Sequence, residues 1–176
     1  MGKTLRIASI DIGGGTTDLA ITQYRLDDGA GSNVKITPRL LFREGFKLAG
    51  DDILLDVIRL YVLPALQTAC RKAGVIDADE RMAKLFGGEG ISVLRQQATL
   101  QLFSPIGRAI LERYEGYDPL DSGAEIDTTF GELLSQQPTD TVLNYINNDV
   151  QRAQPTDAAP FDVLQVPLIL KLSKLH

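Results

Sequence analysis

The chain has 176 residues, of which 44% are hydrophobic and 23% are charged, and its formal net charge is −5. This length and composition fit one sizeable globular domain or two small domains that share a core. The acidic balance offers neither a basic surface for nucleic acid nor a polybasic patch for a membrane. No apolar run approaches the roughly eighteen residues of a membrane span. We therefore expect no nucleic-acid partner and no membrane partner.

The single cysteine and the N-terminal sequence indicate the cellular compartment, and the two chain ends indicate whether the chain is part of a longer protein. The single cysteine, Cys70, forms no internal disulfide and suits a reducing compartment. The N-terminus lacks the pattern of a signal peptide, which favours a cytoplasmic protein or an effector that is secreted without a cleavable signal. The chain starts almost directly with a strand and stops on the apolar segment LILKLSKLH, which is typical of a piece of a longer protein.

The N-terminal region predicts three strands. Residues 5–11, 16–24 and 34–43 are apolar, β-rich runs separated by short turns, and this pattern predicts an antiparallel meander. Pro38 removes a ladder donor from the third run, which indicates an edge strand or a bulge at that position.

The turn between the first two predicted strands holds three glycines, in the stretch DIGGGTTD at 11–18. Glycine weakens strands, and a plain hairpin would need only Asn-Gly or Asp-Gly. Backbone N–H groups without side chains, however, let a bulky anion approach closely. A Walker A loop and a Rossmann fingerprint are excluded, because both open a helix and TTDLAIT predicts a strand. The stretch predicts a phosphate-binding turn, with a strained hairpin that binds nothing as the alternative.

An aspartate lies at each end of this turn, at Asp11 and Asp18. Carboxylates cannot hold phosphate directly, but they can hold a hydrated divalent cation that binds the phosphate. Mg²⁺ suits this arrangement because it usually keeps several of its waters.

Helical patterns dominate the rest of the chain. Asp51 is predicted as the N-cap of a helix from about 52 to 73, which Pro64 kinks or splits and Gly74 ends. The glycine cluster FGGEGIS at 86–92 follows no strand and predicts a connection between helices rather than a second phosphate site. The other predicted elements are helices near 79–87, 91–102 and 105–116, a short strand leading into a turn in 126–134, a helix or irregular element in 139–153, and a strand running into a helix in 161–176.

Several of these stretches resemble known families. DIGGGTTD closely resembles the second phosphate motif of the actin-like ATPases, the superfamily of actin, the Hsp70 chaperones and bacterial filament proteins. KLAGDDILLDVI is similar to the strand-to-helix entry of Hsp70-like domains, a Leu-Gly-Gly-acid-acid pattern in which Ala49 here replaces the first glycine. REGFKLAGDDILLDVIRLYVLPALQ and PFDVLQVPLILKLSKLH resemble the SrfB-type virulence-factor family, a bacterial group with an actin-like ATPase region.

The resemblance implies a fold class. It is a mixed α/β (α+β) structure, half of an actin-like ATPase (RNase H-like) fold, with an antiparallel strand meander, a packed helix and a mostly helical insert. Residues 1–75 would form the phosphate-binding core subdomain of one lobe, and residues 76–176 would form the insert subdomain of the same lobe. A second lobe, in the remainder of the same polypeptide, would complete the clamp around the nucleotide.

The resemblance also implies a site for ATP and Mg²⁺. Asp11 and Asp18 would bind Mg²⁺ through waters, and one of them would orient the attacking water as a positioned base. For Gly50 and Asp51 the alternative stays open that they only start the helix and bind no ligand. ATP hydrolysis is expected of the full-length protein and not of this chain alone. The alternative is a non-hydrolysing actin-like scaffold that binds protein partners or assembles with itself. The implied nucleotide-binding residues are Gly13, Gly14, Gly15, Thr16, Thr17, Gly50 and Asp51.

Overall fold

A computed structural model of the chain describes residues 3–28, 34–87 and 92–175. The chain divides into two compact units, residues 1–53 and 54–176. This boundary falls earlier than the predicted subdomain boundary at residue 75, because the helical residues from Leu54 onward belong to the second unit. The assignment of the two segments to subdomains of one lobe stays a prediction. Most of the second glycine cluster, residues 88–91, lies outside the described residues.

The first unit contains a three-stranded antiparallel sheet, which confirms the predicted meander. Its strands are β1 (Lys3–Ile12), β2 (Thr17–Asp28) and β3 (Val34–Phe46), and they pair in the order β1-β2-β3. Strand β3 lies at an edge of the sheet, as Pro38 indicated. The register shifts where Ile21 pairs with Phe42 and Thr22 pairs with Leu40. The bulge therefore lies next to Leu40 and not at Pro38 itself.

Both faces of this sheet carry exposed apolar side chains. The register places Ile10 and Phe42 on one face and Ile7 and Leu40 on the other, and Ile10 is 66% exposed. Among the described hydrophobic residues of this unit, Ala49 is the one that is buried. Since a sheet normally buries at least one face, the described part of this unit holds no core of its own. The exposed large apolar residues here are Leu5, Ile7, Ile10, Ile12, Ile36, Leu40, Leu41, Phe42, Phe46, Leu48 and Ile53.

Most of the remaining elements are helices, in agreement with the predicted helical segments, except that Phe130–Leu133 forms a short helix where the sequence predicted a turn. Strand β4 pairs antiparallel with β5, and both come from segments predicted as strands. The helices are α1 (Gly50–Val57), α2 (Leu63–Lys72), α3 (Ala78–Phe86), α4 (Val93–Ala98), α5 (Ser104–Glu115), α6 (Phe130–Leu133) and α7 (Asp140–Ala153), and the strands are β4 (Glu125–Thr129) and β5 (Pro167–Lys171). Short 3-10 turns at Val163–Gln165 and Leu172–Lys174 flank β5, where the sequence predicted a longer C-terminal helix.

Two prolines explain irregular turns in the helices. A π-helical turn at Ile58–Val62 joins α1 to α2, and Pro64 follows it; a second one at Thr99–Phe103 joins α4 to α5, ahead of Pro105. Proline has no N–H to donate to the regular hydrogen bonds of an α-helix. Each π-helical turn changes the hydrogen-bond pattern just before a proline. The predicted interruption at Pro64 is thus confirmed as a π turn. The two helices predicted near 91–102 and 105–116 are joined into one interrupted helix over residues 93–115.

The second unit has a continuous hydrophobic core. Ile58, Val62, Leu66 and Cys70 recur at every fourth position, so they lie on one face of their helix. Gly107 permits close packing, because a Cβ there would lie 2.7 Å from Cδ1 of Leu54. No polar or charged residue is buried in the described part of the chain. The largest fully buried side chains are Phe103, Phe130, Leu66, Leu102, Ile106, Ile110, Ile126, Ile146, Val62, Val142, Val150 and Val163.

The continuous helix from Gly50 to Lys72 has 23 residues and is long and apolar enough to cross a membrane, by length and composition alone. The sequence did not predict this, because Asp56 and Arg59 interrupt the apolar run. Core helices of soluble proteins meet the same criterion, and Val62 and Leu66 of this helix lie in the core of the second unit.

Candidate functional site

The glycine turn is held by backbone bonds from the start of α1. Gly13 N–H donates to the carbonyl of Thr16 at 2.8 Å, which closes the β1–β2 hairpin. Gly50 N–H donates to the Gly13 carbonyl at 3.1 Å, and Asp51 N–H donates to the Gly14 carbonyl at 2.8 Å. Two N–H groups of the first helical turn, which have no partner inside the helix, therefore fix the orientation of two peptide units in the turn.

This orientation leaves two amides of the turn free. In a planar trans peptide the C=O and N–H groups point in opposite directions, and no cis peptide occurs in the described chain. Since the carbonyls of Gly13 and Gly14 point at α1, the N–H groups of Gly14 and Gly15 point away from it. Neither amide has an acceptor within the described residues. Consecutive amides on one side of the backbone form a concavity that suits an anion.

Backbone conformation does not require glycine at any position of this turn, and the space beside the backbone differs from one glycine to the next. Gly74 is the one glycine with positive φ in the described residues, so none of the three in the turn needs a left-handed backbone. A Cβ on Gly14 would lie 3.0 Å from Oδ2 of Asp51, whereas a Cβ on Gly15 would meet nothing within 4 Å. The space beside Gly15 is open, and its free amide is accessible from that side.

The two predicted metal-binding carboxylates lie directly opposite each other. Asp11 pairs with Asp18 across β1 and β2, and Asp18 pairs with Gly45 on β3. Paired residues share a face, so both carboxylates lie in one row that ends on a residue without a side chain. Like charges in directly opposed positions destabilise a sheet. Arg43 Nη2 approaches Asp18 Oδ1 to 3.7 Å and offsets part of this repulsion.

The geometry at the start of α1 corrects the predicted cap. Asp51 is not the N-cap, because the helix already begins at Gly50. Asp52 is the acid that caps this end: its Oδ2 accepts the Ala49 N–H at 3.0 Å, as the third residue does in a capping box. The sequence shows two successive aspartates and could not indicate which of them caps the helix.

Thr17 has a structural contact of its own. Its Oγ1 donates to the Leu48 carbonyl at 2.6 Å, so its single hydroxyl proton is engaged within the first unit. The Gly13 amide is engaged as well. Of the implied phosphate donors, the Gly14 and Gly15 amides are the ones that the local bonds leave available.

The carboxylate pair suits a cation that is held through water. No group of three or more His, Cys, Asp or Glu side chains that could hold a metal directly is found within the described ranges. Mg²⁺ is usually bound by one or two carboxylates together with waters and substrate phosphates. Asp11 and Asp18 fit this mode, and a cation between them would relieve their repulsion.

All the predicted site residues lie in the first unit, around one turn. Asp11, Asp18 and the glycines come together through the β1–β2 register, and Gly50 and Asp51 join them through the backbone bonds. The sequence did not single out Arg43. Arg43 alternates with Gly45 along β3, so it lies on the same face of the sheet as Asp18. The sequence could have shown this if the register between β2 and β3 had been known.

Comparison with known families adds a further finding. A family model described as "Virulence factor SrfB" matches residues 1–176. This chain belongs to the SrfB family. A search of curated proteins and a search of solved structures each found no match. Membership in the SrfB family confirms the second resemblance seen in the sequence and associates the chain with virulence. The actin-like resemblance rests on the sequence motifs DIGGGTTD and KLAGDDILLDVI alone.

Proposed function

We propose that this SrfB-family chain is a lobe fragment of an actin-like ATPase, in which the glycine turn binds the β- and γ-phosphates of ATP. The observation that carries the proposal is the pair of amides at Gly14 and Gly15 that point away from α1, in the turn that joins the strands of Asp11 and Asp18. Free amides next to paired acids suit a phosphate that arrives with its own cation. A plain hairpin turn would have no use for either feature.

Each residue has a defined role in this proposal. Gly14 and Gly15 donate their amides to phosphate oxygens, Thr16 adds its hydroxyl, and Asp11 and Asp18 hold the waters of Mg²⁺. One of the two carboxylates also orients the water that attacks the γ-phosphate. Bound Mg²⁺ would neutralise phosphate charge, and phosphoryl transfer depends mainly on such electrostatics and on positioning.

Gly13, Thr17, Gly50 and Asp51 contribute to phosphate binding indirectly, through their own hydrogen bonds within the first unit. Gly13 and Thr17 are engaged with Thr16 and Leu48, while the amides of Gly50 and Asp51 orient the turn. These residues therefore position the phosphate donors and keep the turn in its binding conformation.

The exposed sheet of the first unit supports the proposed partner, the remainder of the same polypeptide with its second lobe. Contiguous exposed apolar surface marks a protein interface, and both faces of β1–β3 present such surface. A phosphoryl-transfer site must also surround the phosphates and exclude water. The chain alone would bind ATP with Mg²⁺ at millimolar affinity at best, since two amide bonds and one hydroxyl bond of about 0.5–1.5 kcal/mol each reach the roughly 4.1 kcal/mol that a millimolar complex requires only at their upper limit. We place the protein in the cytoplasm, where a free Cys70 stays reduced.

The test is the turnover of ATP by a full-length protein that carries this chain. Asp11→Ala and Asp18→Ala should each reduce turnover by about 100-fold or more, while thermal stability stays nearly unchanged because both residues lie on an open sheet. Asp157→Ala, an exposed acid of the second unit, is the matched control and should change neither quantity. Equal losses of turnover and stability, or full turnover in Asp11→Ala, would contradict the proposal.

A non-hydrolysing actin-like scaffold is the second candidate. The observation that favours it is the extent of exposed apolar side chains on both sheet faces, which suits assembly with protein partners or with further copies. The same experiment separates the two candidates. A scaffold would bind nucleotide through the turn without releasing phosphate, and Asp11→Ala would then leave its assembly intact.

A further inference from the structure

A groove in the second unit runs between helix α2 and strand β5. One side is formed by Leu60, Pro64, Thr68 and Lys72, and the other side by Pro167–Leu170, around a cavity of about 340 Å³. A second cavity of about 440 Å³ adjoins it and shares Ala69, Lys72 and Pro167 with the first. The groove is therefore long enough to hold several residues of an extended chain. None of its residues belongs to the glycine turn.

The strand side of the groove is an unpaired sheet edge. Phe130 N–H donates to the Val166 carbonyl, and Leu172 N–H donates to the Ala124 carbonyl. Hydrogen-bonded pairs alternate along an antiparallel ladder, so Leu168 and Leu170 are the residues of β5 that bond to β4. The N–H and C=O of Ile169 then point to the opposite edge. Neither group has a partner in the part of the chain that the structure describes.

The side chains around this edge are mostly apolar, with the hydroxyl groups of Tyr61 and Thr68 and one cation among them. Leu60 is 62% exposed and Ile169 is 70% exposed. Lys72 is the one charged residue that lines the first cavity. No carboxylate in the described ranges forms an ion pair with Lys72, although Asp162 lines the second cavity together with it. The ammonium group of Lys72 is therefore available to pair with a carboxylate where the two cavities meet.

We propose that this groove binds an extended peptide segment of a partner protein, which adds to the free edge of β5 as a third strand. Main-chain bonds to Ile169 would supply affinity, and alternate side chains would supply specificity, as in other cases of strand addition. An aliphatic side chain of the peptide would contact Leu60 and Ile169, and a carboxylate would pair with Lys72. This interaction is independent of the proposed ATP site.

The test is the selection of peptides by the complete chain from a phage-displayed library of random nine-residue sequences. The enriched sequences should alternate aliphatic residues and contain an acidic residue. A synthetic peptide of the enriched sequence is then titrated by fluorescence anisotropy. Ile169→Pro removes the outward N–H but keeps the bonds of Leu168 and Leu170 to β4, so it should weaken binding by about tenfold. Ile169→Val keeps the N–H and is the matched control, with binding close to that of the wild type.

The charge of Lys72 gives a second measurement that does not depend on the folding of the proline variant. Lys72→Glu should shift the preference from the acidic peptide to the same peptide with lysine at the acidic position. Three results would overturn the proposal: no enriched sequence, a Lys72→Glu variant with unchanged preference, or equal binding by the folded Ile169→Pro variant and the wild type. Self-association of the chain that Ile169→Pro abolishes would also overturn it, in favour of a second copy as the occupant.

Discussion

The two units of this chain differ in what they bury. The second unit packs Phe103, Phe130 and many aliphatic side chains into one continuous core. The first unit exposes large apolar residues on both faces of its sheet, and of its described hydrophobic residues Ala49 is the buried one. Yet the first unit carries every candidate site residue. The proposed chemistry thus lies on the unit that supplies least of its own stability.

This difference suggests that the two units serve separate purposes. The second unit has the packing of an independent folding unit, since burial of apolar surface is the main stabilising term. The sheet of the first unit has the hydrogen bonds of a stable structure without the burial, and a sheet of this kind gains stability when another surface covers it. Substitutions that compare matched residues in the two units would test this contrast.

The largest expected effect is on the core of the second unit. Phe130→Ala should lower the free energy of unfolding by about 3–5 kcal/mol, because Phe130 is fully buried and its removal leaves a cavity. Phe42→Ala in the sheet is the matched change at an exposed position and should cost about 1 kcal/mol or less. Urea unfolding followed by helical circular dichroism measures both. Comparable losses in the two variants would show that the sheet face is covered and would break the contrast.

The ion pairs of the two units offer a smaller comparison. Arg81 Nη1 lies 3.1 Å from Asp149 Oδ2, with side chains only 22% and 16% exposed, whereas the Arg43–Asp18 pair is 69% and 44% exposed. Asp149→Asn should destabilise the protein by about 1–3 kcal/mol, because it removes the charge of the closer of two carboxylates beside a partly buried guanidinium and leaves it only Asp77 Oδ2, at 3.6 Å. Asp18→Asn should change stability by about 0.5 kcal/mol or less. Thermal melting of both variants measures the two losses of stability. A larger loss for Asp18→Asn than for Asp149→Asn would contradict this prediction.

Cys70 provides a probe of the core through its titration. Burial, reinforced by the negative charge of Asp149, raises the pKa of the thiol from 9.0 to about 11. Between these values the unfolded thiol loses a proton that the folded thiol keeps, so stability falls as the pH rises through this window and is unaffected below it. The loss approaches about 1.4 kcal/mol per pH unit. Urea unfolding of the wild type and Cys70→Ala measures the difference, and parallel curves for the two proteins would contradict a buried thiol.

The sequence was sufficient to predict the elements but not how their ends are arranged. Period-2 runs located the three strands, since alternation depends only on neighbouring residues. Pro64 predicted an interruption of the helix because it lacks an N–H. The missing donor does not indicate which turn of the helix changes its hydrogen-bond pattern. Asp51 was wrongly predicted as the N-cap, because the helix begins at Gly50, two residues before the predicted start, and Asp52 accepts the N–H of Ala49.

The candidate site was predictable in composition and not in the roles of its residues. DIGGGTTD indicated an anion turn from local residues alone. The distinction between the engaged Gly13 amide and the free Gly14 and Gly15 amides depends on bonds from Gly50 and Asp51, more than thirty residues along the chain. The exposure of the sheet was likewise not predictable, because an apolar pattern shows which face seeks cover and not what covers it.

The most direct test of the proposed phosphate site is a titration of the ¹⁵N-labelled chain with ATP and Mg²⁺, followed by amide chemical shifts. The amides of Gly14 and Gly15 should move progressively as the nucleotide reaches millimolar concentration, while the Gly13 amide, which is bonded to Thr16, should move little. Gly15→Ala places a methyl group in open space, so it should fold normally and weaken these shifts. Unchanged Gly14 and Gly15 amides up to about 10 mM nucleotide, or equal shifts in the Gly15→Ala variant, would contradict a phosphate site at this turn.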